Sequence, residues 1–485
     1  SMLEEISSDR LHKLVKDKQF MANYTSVIEK FNKYMAEPTP NKENLTAYFS
    51  MEFGIDDTLK IFSGGLGILA GDYLKQASDS NVSLVGIGLL YRYGYFQQQI
   101  SGFGDQVDKY FPQKFSHLPI RPVRDEKGDW QKVSISLQGR NMTAKIWRVD
   151  VGRIPLYLMD TDIEENQYQD REVTHKLYGG DWENRLKQEL LLGVGGIRLL
   201  NAIGIKPAIF HANEGHAAFN SIERLNNLMN TKKLNFDDAV EVVRSTTLFT
   251  THTPVPAGHD SFDEELMRRY IPHYPHRLHI SWERFMNLGR WVENQGNQKF
   301  SMSVLAAKLS QEMNGVSQIH GKVSQEMFKG LYPGYYPDEL HINYVTNGVH
   351  YPTWAAKEWQ DFHYEIFGKD FLSKQDDFDV WKKIYNVPDR EIWELHNIQK
   401  NRLFDYLKKR LPKEMTSRQE DPAHIFNVLH SMDEKALTIG FARRFATYKR
   451  ANLLFSNIDR LKRLLAKADR PVQFIFAGKA HPHDK

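Results

Sequence analysis

The chain has 485 residues, sets 64 Lys and Arg against 61 Asp and Glu for a formal charge of +3, and contains no cysteine. That length suggests about two to four domains; the near-neutral balance makes no demand for nucleic acid or an anionic membrane, and the missing thiols exclude disulfides, thiolate metal sites and cysteine nucleophiles together. The most apolar run, 190–205, holds four glycines plus Arg198 and Asn201 and is too short and polar to span a bilayer, while the amino terminus lacks the basic and apolar regions of a signal peptide, so a cytoplasmic location is expected.

Apolar positions Leu11, Leu14, Val15, Phe20, Met21, Tyr24, Val27, Ile28 and Phe31 recur at helical spacing, and Pro38 and Pro40 end that lead-in. A short apolar strand follows at 45–49 and runs into Ser50-Met51-Glu52. Next comes the loop Ser63-Gly64-Gly65-Leu66-Gly67, a helix to about Ser80 and a second strand at 82–90. Strand, helix and strand in this space make a βαβ unit, hence a parallel sheet with a right-handed crossover. Alternation at 133–137, a turn at 138–141 and a return at 142–149 read as an antiparallel hairpin. A helix capped by Asp181 runs to about Leu200. The α/β rhythm then resumes with strands at 208–210 and 246–250, a long helical segment over 304–328 broken at Asn314-Gly315, and a strand at 342–345. Residues 354–432 read as mostly helical. A fresh strand at 436–441, a basic run, a helix to Leu464 and a strand at 472–477 open a second domain of the same kind.

Four of these strands end in polar side chains or glycines: the glycine loop after the first, His211 to His216 after the second, Thr251-His252-Thr253-Pro254 after the third, Thr346-Asn347-Gly348 after the fourth. Ligands of open parallel sheets bind at the carboxyl ends of strands. Gly64 to Gly71 includes four glycines at a helix start, which suits a phosphate or sugar cradle as well as a tight turn. Arg443, Arg444, Lys449 and Arg450 crowd cations at a helix start, where the dipole opposes them unless an anion is bound. Asn213, Glu214 and His216 suit sugar hydroxyls or a helix tether; their spacing is not that of a zinc site, and no metal is expected.

In this order the motifs Ser63-Gly64-Gly65-Leu66-Gly67, Asn213-Glu214-Gly215-His216, Thr251-His252-Thr253-Pro254, Asn314-Gly315-Val316 with His320, Thr346-Asn347-Gly348-Val349 and Tyr448-Lys449-Arg450 resemble those of the α-glucan (glycogen/maltodextrin) phosphorylases, and the resemblance runs from about Tyr48 onward. It implies an α/β fold of GT-B type: a helical lead-in over 1–44, an N-terminal parallel-sheet domain over 45–350 with a hairpin insertion at about 130–160, a helical connection over 351–432, and the start of a Rossmann-like domain over 433–485, truncated there. The implied reaction is phosphorolysis of terminal α-1,4 glucosyl units to glucose 1-phosphate. Among the residues that match, Gly64, Gly65 and Leu66 would face phosphate and sugar, His252 and Asn347 would hold the glucosyl unit, and Tyr448 would lie against it. Arg444 and Lys449 would bind phosphate, with Arg443 standing where animal-type members have lysine. Asn213, Glu214 and His216 would line the sugar site, His216 near the acceptor sugar, and Trp354 would neighbour pyridoxal phosphate. The family's cofactor lysine follows a Glu-Ala-Ser-Gly-type stretch that does not occur in this sequence, so the chain alone is expected neither to hold the cofactor covalently nor to turn over. Glucan and inorganic phosphate are the implied partners, a homodimer the family's expectation. A nucleotide-sugar-dependent glycogen or starch synthase and a non-catalytic glucan-binding module are the alternatives.

Overall fold

The computed structural model describes residues 6–37, 44–137, 139–254, 259–293, 298–466 and 471–482; Pro38, Pro40 and Gln138 therefore lie outside the described residues. In chain order its strands are β1 (Thr46–Phe49), β2 (Leu84–Leu89), β3 (Gln97–Ile100), β4 (Gln106–Lys109), β5 (Arg121–Pro122), β6 (Lys132–Leu137), β7 (Arg140–Val151), β8 (Ile154–Asp160), β9 (Ile209–Asn213), β10 (Thr247–Thr250), β11 (Ser261–Phe262), β12 (Phe300–Ser301), β13 (Glu312–Gly315), β14 (Ile342–Tyr344), β15 (Leu437–Ala442) and β16 (Val472–Ala477). Two compact units emerge, one of residues 1–95 and 111–349, the other of 96–110 and 350–485.

The first unit is built on a mixed sheet ordered β14-β13-β10-β9-β1-β2-β8-β7-β5, with β6 beside β7. From β14 to β8 every neighbouring pair is parallel. The expected βαβ unit is present: β1 pairs with β2 in the register Thr46 to Leu84, and the helix Gly65–Asp79 makes the crossover. All six residues of β2 are buried, as a strand covered on both faces requires. The hairpin β6–β7 is antiparallel, and β7 continues into β8, so these strands extend the main sheet.

One segment expected to be helical has a different conformation, and β3, β4, β5, β8, β11 and β12 have no counterpart in the sequence reading. The break expected within a helix at Asn314-Gly315 is strand β13, which lies between β10 and β14 and separates the helices Met302–Lys308 and Gln318–Phe328. Glu312, Asn314 and Gly315 have little strand propensity of their own; the two flanking ladders decide their conformation.

Most of the apolar run 190–205 lies in a helical segment, Trp182–Leu190 and Gly196–Ala202 joined by a buried π turn at Leu191–Gly195. Asp181 caps it by accepting from the Asn184 amide. At the amino end, the helices Ser8–Lys16 and Lys18–Ala36 bury no residue. Their attachment is at Tyr34, whose hydroxyl lies 2.5 Å from Ser78 Oγ and whose carbonyl accepts from Arg153 Nε at 2.8 Å.

The second unit combines the β3–β4 hairpin, the helices Lys357–Phe367, Asp389–Ser417 and Pro422–His430, and the parallel pair β15–β16. Phe367, Phe371 and Val380 form a small core with Tyr351 and Trp381 packed on it. Gln106 and Ala480 exchange two hydrogen bonds, at 3.1 and 3.0 Å, and so tie the hairpin to the far end of the chain. No helix among the described residues is long and apolar enough to cross a membrane.

Candidate active site

Because β1, β9, β10, β13 and β14 run parallel, their carboxyl ends lie along one edge of the first unit's sheet, and the motif residues that follow them converge there. The bonds between them form a directional chain. Ser50 Oγ donates to the Glu52 carbonyl at 2.9 Å, Asn213 Nδ2 donates to Ser50 Oγ at 3.1 Å, and Asn213 Oδ1 stands 2.6 Å from His252 Nε2. With its amide nitrogen spent on Ser50, Asn213 offers His252 only its oxygen. The imidazole proton therefore sits on Nε2, and Nδ1 is left as an acceptor. Burial holds His252 neutral, down to about 4, with His320 acting in the same direction.

Glu214 is 7% exposed and has φ of +70°, a strained backbone for a residue with a side chain. Its Oε1 accepts from the His252 amide at 2.6 Å and from Thr253 Oγ at 3.0 Å, and its Oε2 from the Gly215 amide at 3.3 Å. This carboxylate joins the ends of β9 and β10. Burial pushes its proton affinity up, and those three donors pull it back. His216 is also buried, pushed down to about 3 by burial and then by the charge of Arg185.

The glycines after β1 divide by role. A side chain at Gly71 would overlap the Gly54 carbonyl, and one at Gly67 would come within 2.8 Å of Glu52 Oε2, so these two are glycines for packing. Gly64 and Gly65 have open space where a side chain would go. Glu52 is buried; its carboxylate accepts from the Ser63 amide at 2.7 Å, from the Gly64 amide, and from the Tyr178 hydroxyl at 2.6 Å. The Gly64 amide is thus committed to Glu52. The amides of Gly65, Leu66 and Gly67, in the first turn of the helix, have no carbonyl behind them within it. That turn can receive an anion or a sugar oxygen.

Not every residue singled out in the sequence enters this network. Asn347 is tied through its backbone, its amide donating to the Val316 carbonyl at 3.1 Å, and its side chain is exposed. His320 follows β13; Val316 donates its amide to Nδ1 at 3.2 Å, which puts that ring's proton on Nε2 as well. In the second unit Arg443, Arg444, Tyr448 and Lys449 follow β15 and are exposed or half-buried, with Lys449 Nζ 4.7 Å from the centroid of the Tyr448 ring. Trp354 ends the short helix Tyr351–Trp354. Sequence reasoning missed Glu52, Tyr178, Arg185 and Asp260 as site residues. Glu52 carried a signal, standing just past a strand end; Arg185 and Asp260, 75 residues apart, carried none.

Comparison with known proteins bears on this edge directly. The family model described as carbohydrate phosphorylase matches residues 205–485, which include β9, β10, β13 and β14 with the polar residues that follow them. A maltodextrin phosphorylase of Thermococcus litoralis is 41% identical over the whole chain, which covers 58% of that protein. A glycogen phosphorylase of Aquifex aeolicus is 34% identical over 98% of the chain and 68% of its own length.

The chain belongs to the carbohydrate phosphorylase family.

A glycogen phosphorylase of Mycobacterium tuberculosis is 40% identical, again over the whole chain and 58% of its own length. This phosphorylase-family chain thus spans a little under three-fifths of the Thermococcus and Mycobacterium relatives. A second model, of a protein family of unknown function, matches residues 1–59. Among the described residues no cluster of three His, Asp or Glu side chains could hold a metal ion. An aldehyde cofactor needs a buried lysine with a free amine. Among the described residues the buried lysine is Lys187, ion-paired with Glu183 at 3.2 Å and lying over the Tyr270 ring, and it does not fit that task.

Proposed function

We propose that the protein containing this chain is an α-1,4-glucan phosphorylase of GT-B architecture that moves the terminal glucosyl unit of glycogen or maltodextrin onto inorganic phosphate, releasing glucose 1-phosphate. The observation that carries the reading is the chain from Ser50 through Asn213 to His252, set beside a helix turn with uncommitted amides. Positive charge builds on a glucosyl ring as its glycosidic bond breaks. An imidazolium next to that ring would oppose it; a buried neutral imidazole with Nδ1 open does not, and can accept from a sugar hydroxyl. The amides of Gly65, Leu66 and Gly67 would take phosphate or sugar oxygens, and Asn347 would hold the glucosyl unit. Arg444 and Lys449 would supply charge for phosphate, with Arg443 beside them and Tyr448 against the sugar. Asn213 and Glu214 act by orienting His252. Pyridoxal phosphate is the family's cofactor, with Trp354 its proposed neighbour; the residues of this chain bind and orient substrate.

The test is to incubate the gene product that contains this chain with maltodextrin and phosphate, and separately with a nucleotide sugar. Glucose 1-phosphate formed in step with phosphate consumed is the expected result, reduced about a hundredfold or more by H252A. Glucan growth from the nucleotide sugar with no glucose 1-phosphate from phosphate would instead indicate a synthase. Glucan binding without either reaction would mark a binding module.

A further inference from the structure

His216 sits in a buried cluster of charge that no motif announces. Arg185, on the helix Trp182–Leu190, donates through Nη2 to Asp260 Oδ2 at 2.7 Å, and the same nitrogen is 3.3 Å from His216 Nδ1. Its Nε is 3.0 Å from Glu189 Oε1, and its guanidinium lies 4.9 Å from the centroid of the Tyr178 ring. Burial works against the charge of Arg185, but Asp260 and Glu189 outweigh it. Burial likewise pushes Glu189 far up, helped by Asp260, while the charge of Arg185 overcomes burial to hold Asp260 ionised. The groups that face the His216 ring are thus Arg185 from the helix, Asp260 from the segment before β11, and His252 from the end of β10, while Glu189 pairs with Arg185.

A guanidinium has donors only. His216 Nδ1 must accept from Arg185, and the ring proton must reside on Nε2. Asp260 Oδ2 lies 3.9 Å from the same Nδ1. Without Arg185 that carboxylate would draw the proton to Nδ1 and favour an imidazolium. Nε2 itself is buried and has no hydrogen-bond partner among the described residues. Buried polar atoms of this kind call for a partner. With the ionised Asp260 beside the ring, such a donor suits a neutral oxygen and disfavours an anion.

We propose that Arg185 is a positioning residue that locks His216 as its Nε2–H tautomer, so that His216 donates a hydrogen bond to a sugar hydroxyl of the bound glucan. The tautomer stands on the geometry alone; the identity of the sugar rests on the glucan reading above.

The test uses the gene product labelled with nitrogen-15 in its histidines. The expected spectrum shows His216 neutral, with its proton on Nε2, at every point from about pH 5 to 8; a proton on Nδ1 in the wild type overturns the proposal whatever the variants do. In R185M the proton should move to Nδ1 or the ring become charged, and R185K should restore the wild-type form in part. An unchanged tautomer in a folded R185M also overturns it. For the ligand, maltoheptaose binding is read by calorimetry. H216Q, whose amide can still donate, should keep most of the affinity, and H216L should lose about tenfold, as one hydrogen bond gives, with phosphate affinity within about twofold of wild type in both. Equal affinity of H216L and wild type for the glucan removes the hydroxyl from the proposal. A wild type that binds glucan yet makes no glucose 1-phosphate would refute phosphorolysis, and the tautomer and the two His216 variants would still decide this inference.

Discussion

Two parallel-strand edges in this chain end in polar motifs, and the structure treats them differently. At the ends of β9 and β10, Asn213 is 1% exposed and each neighbouring polar atom has a fixed direction. At the end of β15, Tyr448 is 66% exposed and Lys449 rests on its ring in solvent. β9 and β10 are flanked on both sides by parallel partners, whereas β15 pairs with β16 alone among the described residues. A motif says which groups follow a strand. Burial says whether those groups hold one protonation state and one orientation, because in low dielectric a wrong proton or an unmade hydrogen bond is costly, while water and salt level such differences at a surface.

The sharpest break of this contrast is steric. G71A would drive a methyl group into the Gly54 carbonyl, and we expect a loss of about 3 kcal/mol in denaturant unfolding. G440A in β15 has open space and should change stability by less than about 0.5 kcal/mol. Equal effects would mean that the two edges are equally packed.

Next in size is the Asn213 junction. N213L leaves His252 Nε2–H and Ser50 Oγ without their partner and should cost about 2 kcal/mol or more, together with nearly all activity. N213D is the finer tool: a carboxylate facing His252 favours the imidazolium, so the His252 titration seen by NMR should rise from about 4.

A third prediction concerns pH. In the unfolded chain His252 takes up a proton near pH 6.5, whereas in the folded state it does so only near about 4. The unfolded state therefore binds more protons in between, and the contribution of His252 is lost as pH falls through that window. The stability of the wild type minus that of H252N should grow from pH 4 to 6.5, by at most about 1.4 kcal/mol per unit. A flat difference would place His252 in contact with solvent.

The smallest effects belong to the second unit. R444A and K449A should shift unfolding by no more than about 0.5 kcal/mol, because exposed cations contribute little to stability. If these residues bind phosphate as proposed, the apparent KM for phosphate should rise about tenfold in each, and an unchanged KM would remove them from the site.

Much of this was legible in the sequence. Alternating and continuous apolar runs located β1, β2, β6, β7, β9, β10, β14, β15 and β16 to within a few residues, and polar strand ends located Asn213, Glu214, His216 and His252. Strand β13 was not legible, because Glu312-Met313-Asn314-Gly315 has a strand conformation only through its neighbours. The glycine loop was legible as a cradle, but the packing duty of Gly67 and Gly71 and the claim of Glu52 on the Gly64 amide appeared only with the helix docked.

The sequence by itself determined the kinds of group at the site and their order along parallel strands, since hydrophobic periodicity and strand-end chemistry are local. Tertiary structure alone decided which nitrogen of His252 and His216 carries the proton and which amides stay open. Those outcomes depend on Ser50 meeting Asn213 and Arg185 meeting Asp260 across 163 and 75 residues of chain, and on the burial that makes a single arrangement of protons cheaper than the rest.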